Sequence, residues 1–183
     1  MTPLTLYTVG HGTRQLEELI TLLRQASVIT LVDVRAQPRS QHNPQFNDDS
    51  LRAACERAGI VYHWAGRQLG GLRAPRLDSP HVALEEGRRG FADHMDTEAF
   101  RKGASQLQQL AARGACAILC AERDPARCHR ALIADYLTLQ GMRVVHLIAP
   151  GESREHLLSP EARRESAALV YDRQTTRQLD LGN

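Results

Sequence analysis

The stretch Val28-Ile-Thr-Leu-Val-Asp-Val34 decides the fold. Apolar side chains stand on both of its alternating faces, so neither face suits water, and Asp33, Arg35 and a loop rich in proline and polar residues close it. A strand of this kind belongs inside a sheet that is covered on both sides. Upstream, Leu4 to Val9 (LTLYTV) forms a second β-favouring run, ended by Gly10-His11-Gly12, and Leu16, Leu19, Ile20, Leu22 and Leu23 then recur at helical spacing. Downstream, Asn47-Asp-Asp-Ser caps a helix through Leu51 and Cys55, Gly59 ends it, and Ile60 to Trp64 reads as another strand.

The alternation is then interrupted by residues 65–90, a loop with Arg67, Arg73, Arg76, Arg88 and Arg89, and long loops in compact domains usually serve function. It resumes with a helix capped by Thr97 and stopped at Gly114, a strand at Cys116–Ala121, a helix from Pro125 to Gln140, and a strand at Met142–Ile148. Strands joined by helices pair in parallel. The expected fold is therefore α/β, a single Rossmann-like three-layer domain over residues 1–150, with a mostly parallel sheet of about five strands and helices on both faces. After Pro150 the composition turns polar, and residues 151–183 are expected as a helical extension, with a short helix from Ser159 through Tyr171, packed on the domain or partly frayed.

A chain of 183 residues with 42% hydrophobic content fills one core. No apolar run reaches membrane-spanning length, so no membrane association is expected. The beginning, MTPLTLYTVGHG, has neither a basic leader nor a long apolar stretch, which predicts a reducing, cytoplasmic setting and free thiols at Cys55, Cys116, Cys120 and Cys128. The net charge of +2 is too small to imply a polyanion partner. Lys102 is the only lysine among 23 basic residues, and arginine favours two-point contacts to phosphate and carboxylate.

The polar clusters fall at strand ends. Gly10-His11-Gly12 follows the first strand, Asp33 and Arg35 the second, His63 and Trp64 the third, Cys120 and Glu122 the fourth. In open parallel sheets ligands bind at the carboxyl ends, where helix amino termini point inward. Asp124 and Pro125 mark a helix start, which places Cys128, His129 and Arg130 near its first turn, where partial positive charge favours a thiolate. A packed core thiol is the competing reading for Cys128, which shares a helical face with Leu132 and Tyr136. Phosphatase-type loops put an arginine six positions after the cysteine; here that position is Ala126, Arg127 comes one late, and cradle-forming glycines are missing. Cys120, Cys128 and His129 with His11 or His63 offer a metal-ligand set, although neighbouring helical residues point about 100° apart. For Gly10-His11-Gly12, an anion-binding turn with an acid or base at His11 and a plain tight turn with an exposed histidine both stay open.

The runs TVGHG (Thr8–Gly12), LVDVR (Leu31–Arg35), Pro38-Arg39-Ser40, Gly59-Ile60, Leu69-Gly70-Gly71, CAE (Cys120–Glu122) and CHR (Cys128–Arg130), in this order, resemble the domain-of-unknown-function 488 family. The resemblance spans Leu6 to Ile148 and implies the α/β fold and the grouping of these sites, but no particular reaction. Gly12 stands where serine is common in the family pattern, which removes a hydroxyl from that turn.

The leading expectation is an enzyme, a hydrolase or transferase with thiol or His/Glu acid–base chemistry, binding a phosphorylated or otherwise anionic small molecule or nucleotide at the strand ends. His11, Cys120, Glu122, Cys128 and His129 are the catalytic candidates. Gly10, Gly12, Asp33, Arg35, Gly70, Gly71 and Arg130 are the ligand-binding candidates, with no assigned metal or cofactor. One alternative is a binding module that grips nucleic acid or a protein through the arginines of residues 65–90; the other is a metal-binding protein with Cys/His ligands. No oligomeric state follows from the sequence.

Overall fold

A six-stranded sheet forms the middle layer of the computed structural model, which describes residues 1–174. Its strands are β1 (Thr5–Gly10), β2 (Thr30–Asp33), β3 (Val61–Trp64), β4 (Cys116–Cys120), β5 (Arg143–Ala149) and β6 (Glu152–Glu155), in the order β3-β2-β4-β1-β5-β6. The first five run parallel and β6 pairs antiparallel with β5. Every residue of β2 and β4 is buried, as expected for interior strands covered on both faces.

Helices α1 (Leu16–Gln25) and α2 (Asp48–Arg57) cover one face, packing Leu19, Leu22, Leu23, Leu51 and Cys55 against Val9, Leu31, Ala117 and Leu119. The four-residue α3 (Gly66–Leu69), α4 (Glu86–His94), α5 (Glu98–Arg113) and α6 (Arg130–Leu139) cover the other, with Leu69, Phe91, Phe100, Leu107, Leu132, Ile133 and Leu137 against Leu6, Ile118 and Val144. Each of these buried aliphatic or aromatic side chains contributes about 1.5–3 kcal/mol relative to exposure. Thr97 caps α5, accepting from the Phe100 N–H at 3.2 Å.

Strand β4 lies between β2 and β1. The chain leaves β1 and β2 toward one face and β4 toward the other, so the connections part at the carboxyl edge of β4 and leave a crevice there. The loops that bound it are stitched together: His11 N–H donates to the Cys120 carbonyl at 3.0 Å, Gly12 N–H to Ala121 at 2.9 Å, and Val34 N–H to Leu119 at 2.9 Å.

Three expectations are corrected. The helix expected over Ser159–Tyr171 is a β-hairpin, β7 (Ala162–Glu165) with β8 (Ala168–Tyr171), turning at Ser166, which takes φ 54°. Leu169 and Tyr171 are buried at a spacing of two, which is strand and not helix periodicity. The helix expected from Pro125 to Gln140 is interrupted: a 3₁₀ turn at Pro125–Arg127 gives way to extended backbone at Cys128 before α6 begins. The 65–90 segment holds α3 and the start of α4, whose glycine-containing sequence EGRRGFADH has poor intrinsic helicity and is held by burial of Phe91 and Ala92.

Asp135, in the middle of α6, ties down the chain that follows the sheet. It accepts from Tyr171 Oη at 2.9 Å, His156 Nε2 at 2.7 Å and the Ser159 N–H at 2.9 Å. These bonds satisfy a carboxylate that has no access to water.

Candidate active site

Cys120 ends β4 and Cys128 stands between the 3₁₀ turn and α6, where its extended backbone aims its side chain back at the strand. Their sulfurs are 2.7 Å apart. Cys128 stands just before His129, the N-cap residue of α6: its Sγ accepts from the Arg130 N–H at 3.4 Å and its carbonyl from the Ala131 N–H at 3.1 Å. The amino terminus of a ten-residue helix therefore faces the sulfur pair.

The Arg130 guanidinium lies at the same point and is 1% exposed. Its Nη1 is 3.4 Å from Cys120 Sγ and its Nη2 donates to the Arg123 carbonyl at 2.9 Å, while Nε finds no partner among the described residues. No carboxylate among the described residues forms an ion pair with it. A buried cation without a counter-anion is costly, and the one soft, ionisable atom in contact with it is Cys120 Sγ.

Burial by itself would push the Cys120 thiol up, but the S–H of Cys128 and the charge of Arg130 reverse the direction, and Cys120 is held below the ordinary thiol range. Cys128, as the donor in that bond and buried as well, is pushed well above it. The other two cysteines show what burial does without such partners: Cys116 is pushed up to about 12 and Cys55 to about 11.

His129 Nε2 faces the Val34 carbonyl at 3.0 Å, which fixes its proton there and leaves the Nδ1 lone pair 3.5 Å from Cys128 Sγ. Burial lowers this imidazole to about 4, so it is neutral near pH 7. His11 is buried too, stacked on Phe46 at 4.5 Å between centroids. Its Nδ1–H donates to the Gly12 carbonyl at 2.9 Å and its Nε2 accepts from Arg35 Nη1 at 3.3 Å. Both nitrogens are engaged and burial depresses its pKa, so His11 positions Arg35; the exposed tight-turn reading does not hold.

Arg35 meets Asp33 at two points, Nε to Oδ1 at 2.9 Å and Nη2 to Oδ2 at 2.6 Å. The hydroxyl of Tyr62, pushed up by burial, donates to Asp33 Oδ2 at 2.6 Å, and Arg35 Nη2 also donates to the Phe46 carbonyl at 2.8 Å.

Cys120 and Cys128, both buried, are among the residues that line a cavity of about 400 Å³. Arg35, Arg39, Arg88 and Arg127 line it, against Glu85 and Glu122, and Gly71, Leu72 and His129 complete one wall. A second hollow shares Arg35, Arg39 and Glu122 with the first and reaches His11, Gly12 and Arg123. Arg88 is paired with Glu85 at 2.7 Å and Arg39 with Asp48 at 3.1 Å and Asp49 at 3.4 Å, whereas Arg127 has no ion pair among the described residues.

Of the residues singled out from sequence, His11, Asp33, Arg35, Cys120, Glu122, Cys128, His129 and Arg130 gather at this crevice. Gly10 serves packing: a Cβ there would stand 1.9 Å from the Glu122 carbonyl oxygen and 2.7 Å from Arg130 Nη1. Gly12 takes φ 48°, which turns the chain over the second hollow. Gly70 packs against Gly66 and Ala36, and Gly71 against His129. His63 is not brought in, because β3 is an edge strand and it lines a separate hollow with Gln68 and Arg113, while Trp64, on the same hollow, touches the site only through its indole N–H, which donates to the Arg35 carbonyl at 2.8 Å. Among the described residues no group of three or more His, Cys, Asp or Glu side chains is placed to hold a metal ion. No described helix is long and apolar enough to cross a membrane.

Arg39, Arg127 and Tyr62 were not among the candidates from sequence. The inward position of Tyr62 on an alternating strand was the available signal for that residue. The loop arginines are mostly engaged internally: Arg73 with the Gly70 and Arg67 carbonyls, Arg89 with Leu84, and Arg76 with Asp93.

Residues 15–137 match the model of the family described as Domain of unknown function DUF488. The chain belongs to the DUF488 family. The matched span takes in β2 to β4, the crevice loops after them and most of α6; the first strand and its Gly-His-Gly turn precede it. Searches of curated proteins and of solved structures return no match. The DUF488 description assigns no reaction.

Proposed function

We propose that this DUF488 protein is a thiol-dependent enzyme acting on a small anionic substrate, with Cys120 as nucleophile. The observation that carries this reading is the buried contact between Arg130 and Cys120: a guanidinium with no carboxylate partner among the described residues favours the sulfur as a thiolate, the form that attacks electrophiles. The second sulfur donates its S–H to the first and favours its ionised form. Arg127, which lines the same cavity, supplies two-point contacts for a carboxylate or phosphate on the substrate, Arg39 adds a second by exchanging its exposed pairs with Asp48 and Asp49, and Arg35 is held toward it by Asp33 and His11.

The test is site-resolved alkylation with iodoacetamide across pH, read by mass spectrometry. Cys120 is expected to react with a midpoint clearly below the free-cysteine value of about 8.5, while Cys55 and Cys116 stay unlabelled in the folded protein. A Cys120 that labels no more readily at low pH than an ordinary thiol would remove the nucleophile from the scheme.

A further inference from the structure

Resting on that reading of Cys120, we infer that the site performs thiol–disulfide exchange on disulfides of small acidic thiols, with Cys128 as the resolving cysteine. Any adduct formed on Cys120 Sγ is created in contact with a second sulfur 2.7 Å away. That separation is only about 0.7 Å longer than an S–S bond. An acyl or phosphoryl adduct would call for an activated water and an oxyanion cradle. Four amides of the loop that follows Cys120 are instead bonded within it: Asp124 N–H to Glu122, Ala126 N–H to Asp124 Oδ1, Arg127 N–H to the Asp124 carbonyl and Cys128 N–H to Pro125. A sulfur adduct needs nothing more than the neighbouring thiol.

The chemistry balances as follows. The Cys120 thiolate attacks one sulfur of a disulfide R–S–S–R′; a Cys120–S–S–R bond forms, the R–S–S–R′ bond breaks and R′–S⁻ leaves. The Cys128 proton passes to that leaving thiolate, directly or through the Nδ1 lone pair of His129, 3.5 Å from Cys128 Sγ. The new Cys128 thiolate, steadied by the Arg130 N–H at the start of α6, attacks Cys120 Sγ, closing a Cys120–Cys128 disulfide and expelling R–S⁻. The substrate gains two electrons and the cysteine pair loses two, which an external dithiol reductant restores. The acidic character of R follows from the cavity, which Cys120 and Cys128 line together with Arg127, a guanidinium with no ion pair among the described residues, and Arg39, whose pairs with Asp48 and Asp49 are exposed.

The experiment treats reduced full-length protein with oxidised glutathione, quenches with acid and maps the cysteines by mass spectrometry while counting released thiol. Wild type is expected to give a Cys120–Cys128 disulfide and two glutathiones per chain, and dithiothreitol to reverse it. The Cys128→Ser variant is expected to stop at a Cys120–glutathione mixed disulfide with one glutathione released, and the neutral bis(2-hydroxyethyl) disulfide to react more slowly with wild type. A stable mixed disulfide on wild-type Cys120, or the absence of any oxidised product from a Cys120 that alkylates at low pH, would overturn the exchange proposal and leave the nucleophile standing. A Cys120 inert to both reagents would remove both. The wild-type result alone decides, even if the variant folds poorly.

Discussion

Asp33 and Arg35, two positions apart at the end of β2, face each other in a two-point ion pair that is closed from a third side by the Tyr62 hydroxyl. Asp33 is fully buried and Arg35 nearly so, and the pair's value depends on keeping every member. Asp33→Asn leaves Arg35 a buried cation without its counter-charge and is expected to cost about 3–5 kcal/mol in urea denaturation. Tyr62→Phe removes one hydrogen bond to a charged group and is expected to cost about 1.5–3 kcal/mol. If Asp33→Asn proved near neutral, the crevice would not depend on this pair for its shape.

The acidity of Cys120 has two sources that can be separated. Cys128→Ala deletes the S–H donor at 2.7 Å, whereas Cys128→Ser keeps a hydroxyl donor in its place. The alkylation midpoint of Cys120 is expected to rise in the alanine variant and to move less in the serine variant. Arg130→Gln deletes the charge and should raise it as well. Far-ultraviolet circular dichroism checks that each variant retains its fold. An unchanged midpoint in folded Arg130→Gln would mean that the guanidinium is there for packing alone.

Much of this site was legible in the sequence because parallel strands place their carboxyl ends along one edge. Clusters after the Leu4–Val9, Val28–Val34 and Cys116–Ala121 runs therefore had to approach one another. Strand order was not legible. The insertion of β4 between β1 and β2 puts Cys120 beside the His11 and Arg35 loops, and the edge position of β3 leaves His63 outside. Nor could periodicity show that Cys128 leaves helical geometry to meet Cys120, since that depends on contacts across the crevice. The exposed, charged strand ESRE of β6 carries no hydrophobic pattern at all, and its place follows only from pairing with β5. Asp135 lies within an apolar helical run, and its partners come from a later segment.

Acid should destabilise the fold through its buried histidines. A directional chain runs from the Thr8 hydroxyl to His146 Nδ1 at 2.6 Å, from His146 Nε2–H to His156 Nδ1 at 2.9 Å, and from His156 Nε2–H to Asp135 at 2.7 Å. Burial lowers His146 to about 3 and His129 to about 4, from an ordinary value of 6.5. Above that value both states are neutral at these sites and nothing is gained or lost. Below it the unfolded chain binds protons that the folded chain refuses, so stability falls with pH toward the folded values. Near pH 4 the two together amount to a loss on the order of 6 kcal/mol, at about 1.4 kcal/mol per unit and per histidine. Urea midpoints followed from pH 7 downward are expected to decline from near pH 6.5, with a shallower decline in His146→Asn. A flat profile down to pH 4.5 would mean that these imidazoles accept protons within the fold.

Substrate charge can be read without knowing the substrate. Iodoacetate and iodoacetamide alkylate by the same displacement and differ in one negative charge. At Cys120 the attacking sulfur is itself anionic, so without local positive charge the carboxylate reagent should be the slower one, as it is with a simple thiolate in solution. Arg39 and Arg127 line the cavity that Cys120 also lines; Arg127 has no ion pair among the described residues, and Arg39 has exposed pairs with Asp48 and Asp49. The iodoacetate-to-iodoacetamide rate ratio is therefore expected to be higher at Cys120 than at a free model thiol, and to fall as salt is raised, because exposed charges are screened over about 10 Å at 0.1 M. Arg127→Gln and Arg39→Gln should each lower the ratio with little effect on the iodoacetamide rate or on stability, since both side chains are exposed. A ratio equal to that of the free thiol, indifferent to salt and to both substitutions, would mean that these arginines do not recruit the ligand, and the anionic character of the substrate would have to be abandoned even with Cys120 reactive.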